Sequence, residues 1–154
     1  GTVGSTYSHL VFLLPADSHL KVIEKSAFYR SSVKSLVLPA CFEEVGEMAF
    51  YGCENLASIT FGNATDGSAL RKLGGACFVN CKGLRTMTIW KEITSPADVP
   101  VMEYYTVSTT TENTSYNVFA GAAVPTIYVR SAGTYRTAEH WDEYDKNIFE
   151  ITNS

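Results

Sequence analysis

Basic side chains are scarce in this chain, and that scarcity narrows its partners. Lys and Arg number 12 against 16 Asp and Glu in 154 residues, a formal charge of −4. No Lys/Arg run occurs, so the cationic surface that a phosphate backbone requires is missing and nucleic acid is not expected as a partner. Long apolar runs are missing too. The longest, "LVFLLPA" (Leu10 to Ala16), is less than half of the roughly 18 residues a membrane span needs. Four cysteines are too few for a disulfide scaffold. The three histidines, His9, His19 and His140, show no His-x-x-x-His spacing. No Gly-rich phosphate loop follows a strand, and Gly-x-Ser-x-Gly does not occur. A Cys-His nucleophile pair has no recognisable spacing either. The expectation is a protein without catalytic residues, cofactor or metal. The N-terminal "GTVGSTYS" has no signal-peptide pattern and reads as a cut end, so any export signal or anchor lies outside this sequence or never existed.

What is present is a repeat. Hydrophobic residues make up 45% and charged residues 18% of the chain, a globular composition long enough for one domain with its own core. Within it, "KSAFYRSSVKSLVL" (Lys25 to Leu38), "EMAFYGCENLASITF" (Glu47 to Phe61) and "GACFVNCKGLRTMTI" (Gly75 to Ile89) follow one pattern. Ala27-Phe28 and Ala49-Phe50 lie 22 residues apart, and Cys77-Phe78 follows 28 later. An aliphatic residue stands four positions before each pair: Ile23, Val45 and Leu73. Downstream come Val33-x-x-Leu36-x-Leu38, Leu56-x-x-Ile59-x-Phe61 and Leu84-x-x-Met87-x-Ile89. The extra six residues of the third unit fit in "GNATDGSA" (Gly62 to Ala69), rich in turn formers. A degenerate fourth copy reads Phe119, Val124-x-x-Ile127-x-Val129, and "VFLLPA" (Val11 to Ala16) suggests an incomplete earlier one. A motif that recurs at nearly fixed spacing points to a unit stacked on its copies, because no single unit buries its apolar side alone. The two-residue alternation closing each unit predicts a strand. Units running in one chain direction place these strands in parallel, with Leu36, Ile59 and Met87 side by side.

These patterns, best seen in "LVLPACFEEVGEMAFYGCENLASITF" (Leu36 to Phe61), resemble the BspA-like leucine-rich repeat, named after a Bacteroides surface protein. The tail from Asn117 to Ile151, with its strand, turn, Tyr, Trp and closing Asn-Ile-x-x-Ile, is similar to the family's usual end. The resemblance covers roughly Leu20 to Ile151, and the polar "EYYTVSTTTENTSYN" (Glu103 to Asn117) is its main departure. It implies a right-handed leucine-rich-repeat solenoid of short parallel strands, in the α/β class. It also implies export or surface display, with a role in adhesion or ligand capture. Residues 1–130 would then hold the repeats, with an insertion at about 91–117, and 131–154 would cap them as part of one structural domain. Trp141, Tyr144 and Ile148 fall at i, i+3 and i+7, which predicts a short amphipathic capping helix.

Candidate chemistry is sparse. Cys53 and Cys81 share a repeat position and are expected to neighbour one another, as buried small side chains in a turn or as a disulfide. Cys77 stands where other units have Ala, and Cys41 aligns with His19 without an obvious partner; two cysteines, Cys77 and Cys81, lack the further ligands zinc would need. "NAT" (Asn63 to Thr65) and "NTS" (Asn113 to Ser115) fit the glycosylation pattern, but Asn as a turn former is the expected role. The acidic Glu139, Asp142, Glu143 and Asp145 lack calcium-loop spacing and are expected on a solvated helix face. The outward strand positions form columns: Ser35, Ser58, Thr86, Thr126; then Val37, Thr60, Thr88, Tyr128; then Pro39, Gly62, Trp90, Arg130. Ser35, Ser58, Thr60, Thr86, Thr88, Trp90, Tyr128 and Arg130 are the candidate ligand-binding residues, since aromatic and Arg side chains commonly anchor interfaces. The leading expectation is an extracellular or cell-surface module binding a protein or glycan through this face. The alternative is a structural spacer packed against another chain, which burial of the face under residues 91–117 would favour.

Overall fold

The computed structural model describes residues 2–3, 10–12 and 18–152. His9, most of "GTVGSTYS" and the end of "VFLLPA" (Leu13 to Ala16) lie outside these residues.

The chain alternates between two parallel ladders. The larger holds β2 (Leu10–Phe12), β4 (Val33–Leu38), β6 (Ser58–Phe61), β8 (Thr86–Ile89), β12 (Thr126–Val129) and β13 (Ile148–Glu150), adjacent in that order. The smaller holds the two-residue strands β1 (Thr2–Val3), β3 (Val22–Ile23), β5 (Glu44–Val45), β7 (Lys72–Leu73) and β9 (Val101–Met102). Leu36, Ile59, Met87 and Ile127 stand level on neighbouring strands, as the repeat spacing predicts. Phe12 pairs with Leu36 and Leu10 with Val33, so the partial copy before the first full unit joins the ladder with a register shift between its two pairs. This alternation of mostly parallel strands, with few helices, fits a repeat solenoid.

Why each turn stacks follows from side-chain period. On the large sheet Leu36, Leu38, Ile59, Phe61, Met87, Ile89, Ile127 and Val129 are buried, while the residues between them are not. The aliphatic residues ahead of each Ala-Phe pair, Ile23, Val45 and Leu73, form the inner row of the small sheet, and Met102 extends it. Between the sheets the Ala-Phe segments make turns rather than helices. Phe28 N–H donates to Ala49 O (2.7 Å), Phe50 to Cys77 O (2.9 Å) and Phe78 to Val118 O (3.1 Å). The intervening amides close local turns, as Ala27 to Glu24 O (3.1 Å) and Ala49 to Gly46 O (3.1 Å). Buried amides are thereby satisfied without a helix. The phenyl rings stack in one file: Phe28–Phe50 at 5.2 Å, Phe50–Phe78 at 5.5 Å, Phe78–Phe119 at 5.9 Å, within the favourable range for aromatic pairs. Tyr144 meets Phe119 edge-on at 5.2 Å and ends the file.

Glycine has a specific task at two equivalent positions. A Cβ on Gly46 would lie 2.6 Å from the backbone of Glu24 and Lys25, and one on Gly74 would lie 2.6 Å from Glu47 N. Successive coils touch backbone to backbone there, which only a residue without Cβ permits.

Two sequence expectations change. Residues 91–102 return the chain to the small sheet through β9, so the added element is an exposed antiparallel hairpin, β10 (Tyr105–Ser108) with β11 (Asn113–Tyr116). The amphipathic helix predicted from Trp141 to Ile148 is not formed as such. Trp141–Asn147 is a 3-10 stretch broken at Tyr144, and Ile148 begins β13. The free edge of β12 explains this: its unpaired backbone groups take up the 148–150 segment as a sixth strand, a stronger demand than helical periodicity over so short a run. The one α-helix among the described residues, α1 (Ala132–Arg136), lies against β13, where the Arg136 guanidinium donates to Ile148 O. Trp141, Tyr144 and Ile148 are all buried, as their apolar spacing requires. Trp141 packs edge-on to Tyr135 at 5.0 Å and its indole N–H donates to Pro100 O (2.8 Å).

Candidate ligand-binding face

The outward face of the large sheet brings the candidate residues together in register. Ser35 pairs with Ser58 and Ser58 with Thr86, which pairs with Thr126. Thr60 pairs with Thr88 and Thr88 with Tyr128. None of Ser35, Ser58, Thr60, Thr86, Thr88, Trp90, Tyr128 and Arg130 is buried. The insertion therefore leaves this face open. Its first part extends the small sheet, and Tyr104, just before the hairpin, stacks on His140 at 4.0 Å.

The third column ends in a fixed pair. The Arg130 guanidinium lies over the Trp90 ring, 5.3 Å from its centroid. Its nitrogens also reach the Glu92 carboxylate and Ala64 O (3.3 Å for the latter). Cation–π contact and a carboxylate on the same guanidinium hold it over the indole. Trp90 is thus half-covered, and the loop after β6 shapes that end of the face. Asn63 builds the loop, accepting from Thr65 N–H (3.0 Å) and Asp66 N–H (2.8 Å), the turn role expected of it. Asn113 differs: it lies in β11, opposite Ser108.

One residue of the face, Phe149, escaped the sequence reading. Phe149 pairs with Tyr128 across β12 and β13, their rings 6.4 Å apart. It continues the second column, and assignment of its segment to a helix hid this. Val37, 56% exposed, opens the same column, which closes on Tyr128 and Phe149, 38% and 45% exposed. The column therefore runs from an apolar end across two threonines to an aromatic end.

The cysteines do something the spacing did not reveal. All four are free. The Cys53 thiol donates to Phe28 O (2.9 Å) and the Cys81 thiol to Phe50 O (3.0 Å), so each closes the turn of the preceding unit. Burial pushes the Cys53 thiol up to about 11 and raises those of Cys77 and Cys81 well above the ordinary thiol value too. Thiols held protonated in this way are poor nucleophiles. Cys41, half-buried, lies 3.5 Å from the carbonyls of Ser18 and Leu20. The acidic residues Glu139, Asp142, Glu143 and Asp145 are exposed.

Two turn-forming ladders, recurrent Ala-Phe pairs and registered strands together match one family. A family model described as the BspA type leucine rich repeat region (6 copies) covers residues 21–135. The chain belongs to that family. No curated protein and no solved structure matches it. As a BspA-type repeat, the chain is a module of the protein-interaction kind, a class generally without enzymatic activity. No helix among the described residues is long and apolar enough to cross a membrane.

Proposed function

We propose that this BspA-type domain is a non-enzymatic recognition module, displayed outside the cell or on its surface and adhesin-like. It binds a protein or glycan through the outward face of the large sheet. The observation that carries this reading is the open column from Val37 through Thr60 and Thr88 to Tyr128 and Phe149, flanked by the Arg130–Trp90 pair. Hydroxyls supply hydrogen bonds there, and exposed aromatic and Arg groups supply anchors. In this reading residues 1–130 form a right-handed solenoid and 131–154 seal its end within a single structural domain. The test is binding of the purified domain to an array of matrix proteins and glycans, run beside Trp90→Ala and Tyr128→Ala. A hit lost in both variants, with unchanged thermal unfolding, supports the strand face; a hit kept in both moves the site elsewhere.

A second reading is a spacer that packs against another chain. The exposed neighbours Tyr128 and Phe149 at one end of the column favour it, since contiguous exposed apolar residues mark association surfaces. Absence of any hit on the array, together with a dimer in sedimentation that Tyr128→Ala disrupts, would select it.

A further inference from the structure

A second groove lies on the turn side of the repeats, away from the strand face. Tyr29 and Tyr51 follow the buried Phe28 and Phe50, and their rings stack at 5.1 Å with an interplanar angle of 12°. Beside them Arg30, Glu54, Asn80 and Lys82 line an open cavity of about 490 Å³. Its position follows from the first two units, where the turn that buries Phe28 and Phe50 leaves the next side chain, Tyr29 or Tyr51, at the surface. Tyr29 is 47% exposed.

The polar groups of this groove are incompletely used. Arg30 approaches the Tyr29 ring at 5.9 Å and has no carboxylate partner among the described residues. Gly52 makes room for it, since a Cβ there would stand 3.0 Å from Arg30 Cγ. Asn80 Nδ2 donates to the Tyr51 hydroxyl oxygen (3.4 Å), which leaves the phenolic proton for another acceptor. Lys82 and Glu54 face each other at 3.8 Å, both largely exposed, a weak pair that a ligand can separate.

We infer that this groove binds an acidic sugar, a hydroxylated ring carrying a carboxylate. The guanidinium of Arg30 offers a planar fork that fits a carboxylate. Glu54 accepts from ring hydroxyls, while Asn80, Lys82 and the Tyr51 proton donate to them. A bare oxyanion such as sulfate has no proton for Glu54 and is repelled by it. A neutral sugar leaves the Arg30 charge unmatched. An apolar peptide side chain finds no apolar floor, because the lining is almost wholly polar apart from the two phenol rings.

The test is a titration of the 15N-labelled domain with sodium glucuronate, followed by amide shifts, with glucose and sodium acetate as separate controls. Saturable shifts are expected at residues 29–30, 51–54 and 80–82. Glucose and acetate should bind at least about tenfold more weakly, the share of one charge-assisted hydrogen bond or more. Arg30→Gln should weaken glucuronate by a similar factor while keeping a dispersed spectrum, Arg30 being exposed. Trp90→Ala should leave these shifts unchanged, which separates this site from the strand face. Absence of saturable shifts overturns the proposal. So does acetate or glucose binding as tightly as glucuronate, or Arg30→Gln binding as the parent does.

Discussion

Phe50 sits at the middle of the aromatic file, and truncating it tests the account of the core most directly. The ring is fully buried, with Phe28 at 5.2 Å on one side and Phe78 at 5.5 Å on the other, nearly parallel to both. Phe50→Ala removes a transfer contribution of roughly 1.5–3 kcal/mol and two ring contacts at about 0.5–1.5 kcal/mol each. The total agrees with the roughly 3–5 kcal/mol found for Phe-to-Ala changes in packed cores. The gap cannot collapse readily, because the Phe50 amide is tied to Cys77 O and its carbonyl accepts from the Cys81 thiol. Urea unfolding followed by circular dichroism should therefore show a loss near that range, which is a large part of a typical domain's about 5–15 kcal/mol. Phe50→Leu should lose less, since it keeps most of the apolar volume. A double-mutant cycle with Phe78→Leu should give a coupling of about 0.5 kcal/mol or more between the stacked rings. A loss below about 1 kcal/mol for Phe50→Ala would refute the reasoning, and so would a loss matching that of Tyr29→Ala on the exposed neighbouring file.

Gly74→Ala should cost at least about 1–3 kcal/mol, because its Cβ would meet backbone at 2.6 Å; an unchanged urea midpoint would contradict the backbone contact between coils. Tyr135→Phe should hold or raise stability by up to about 1 kcal/mol, since its buried hydroxyl has no hydrogen-bond partner among the described residues. A clear loss on calorimetry would mean that the hydroxyl is bonded. Cys53 makes stability depend on alkaline pH. Its folded value is raised from 9.0 to about 11 by burial, so the unfolded thiol ionises first and favours unfolding. That stability is fully present below pH 9 and is lost as pH rises through about 11. Urea midpoints across this window should fall less in Cys53→Ser. Alkylation of native Cys53 at neutral pH, at the rate of an unfolded peptide, would contradict its protection.

The repeat arithmetic carried β4, β6, β8 and β12 of the large sheet from sequence to structure. Leu36, Ile59, Met87 and Ile127 each stand three residues after the apolar residue that opens their strand pattern, Val33, Leu56, Leu84 and Val124, and a strand's period of two then decides which side chains point inward. Cys77 in the Ala column and Phe119 across the insertion were legible for the same reason, since only the spacing and the apolar type mattered. The small sheet was half-legible. Ile23, Val45 and Leu73 announced a buried row, but two-residue strands carry too little alternation to be recognised, and Met102 had no Ala-Phe pair at the expected distance.

Sequence by itself determined that this chain stacks like units, how many residues each spends, and which side chains face the core. Local periodicity suffices for that, because each unit's apolar positions are fixed by its own backbone geometry. Tertiary structure alone decided the rest. Ile148 to Glu150 became a strand because the edge of β12 left backbone groups unpaired, a demand that no local pattern contains. Phe149 thereby joined Tyr128, Arg130 came to rest on Trp90, and Arg30 came to lie over Gly52 beside Tyr51 and Asn80. Those juxtapositions join residues from different coils, and only the stacking of whole units brings them within reach of one another.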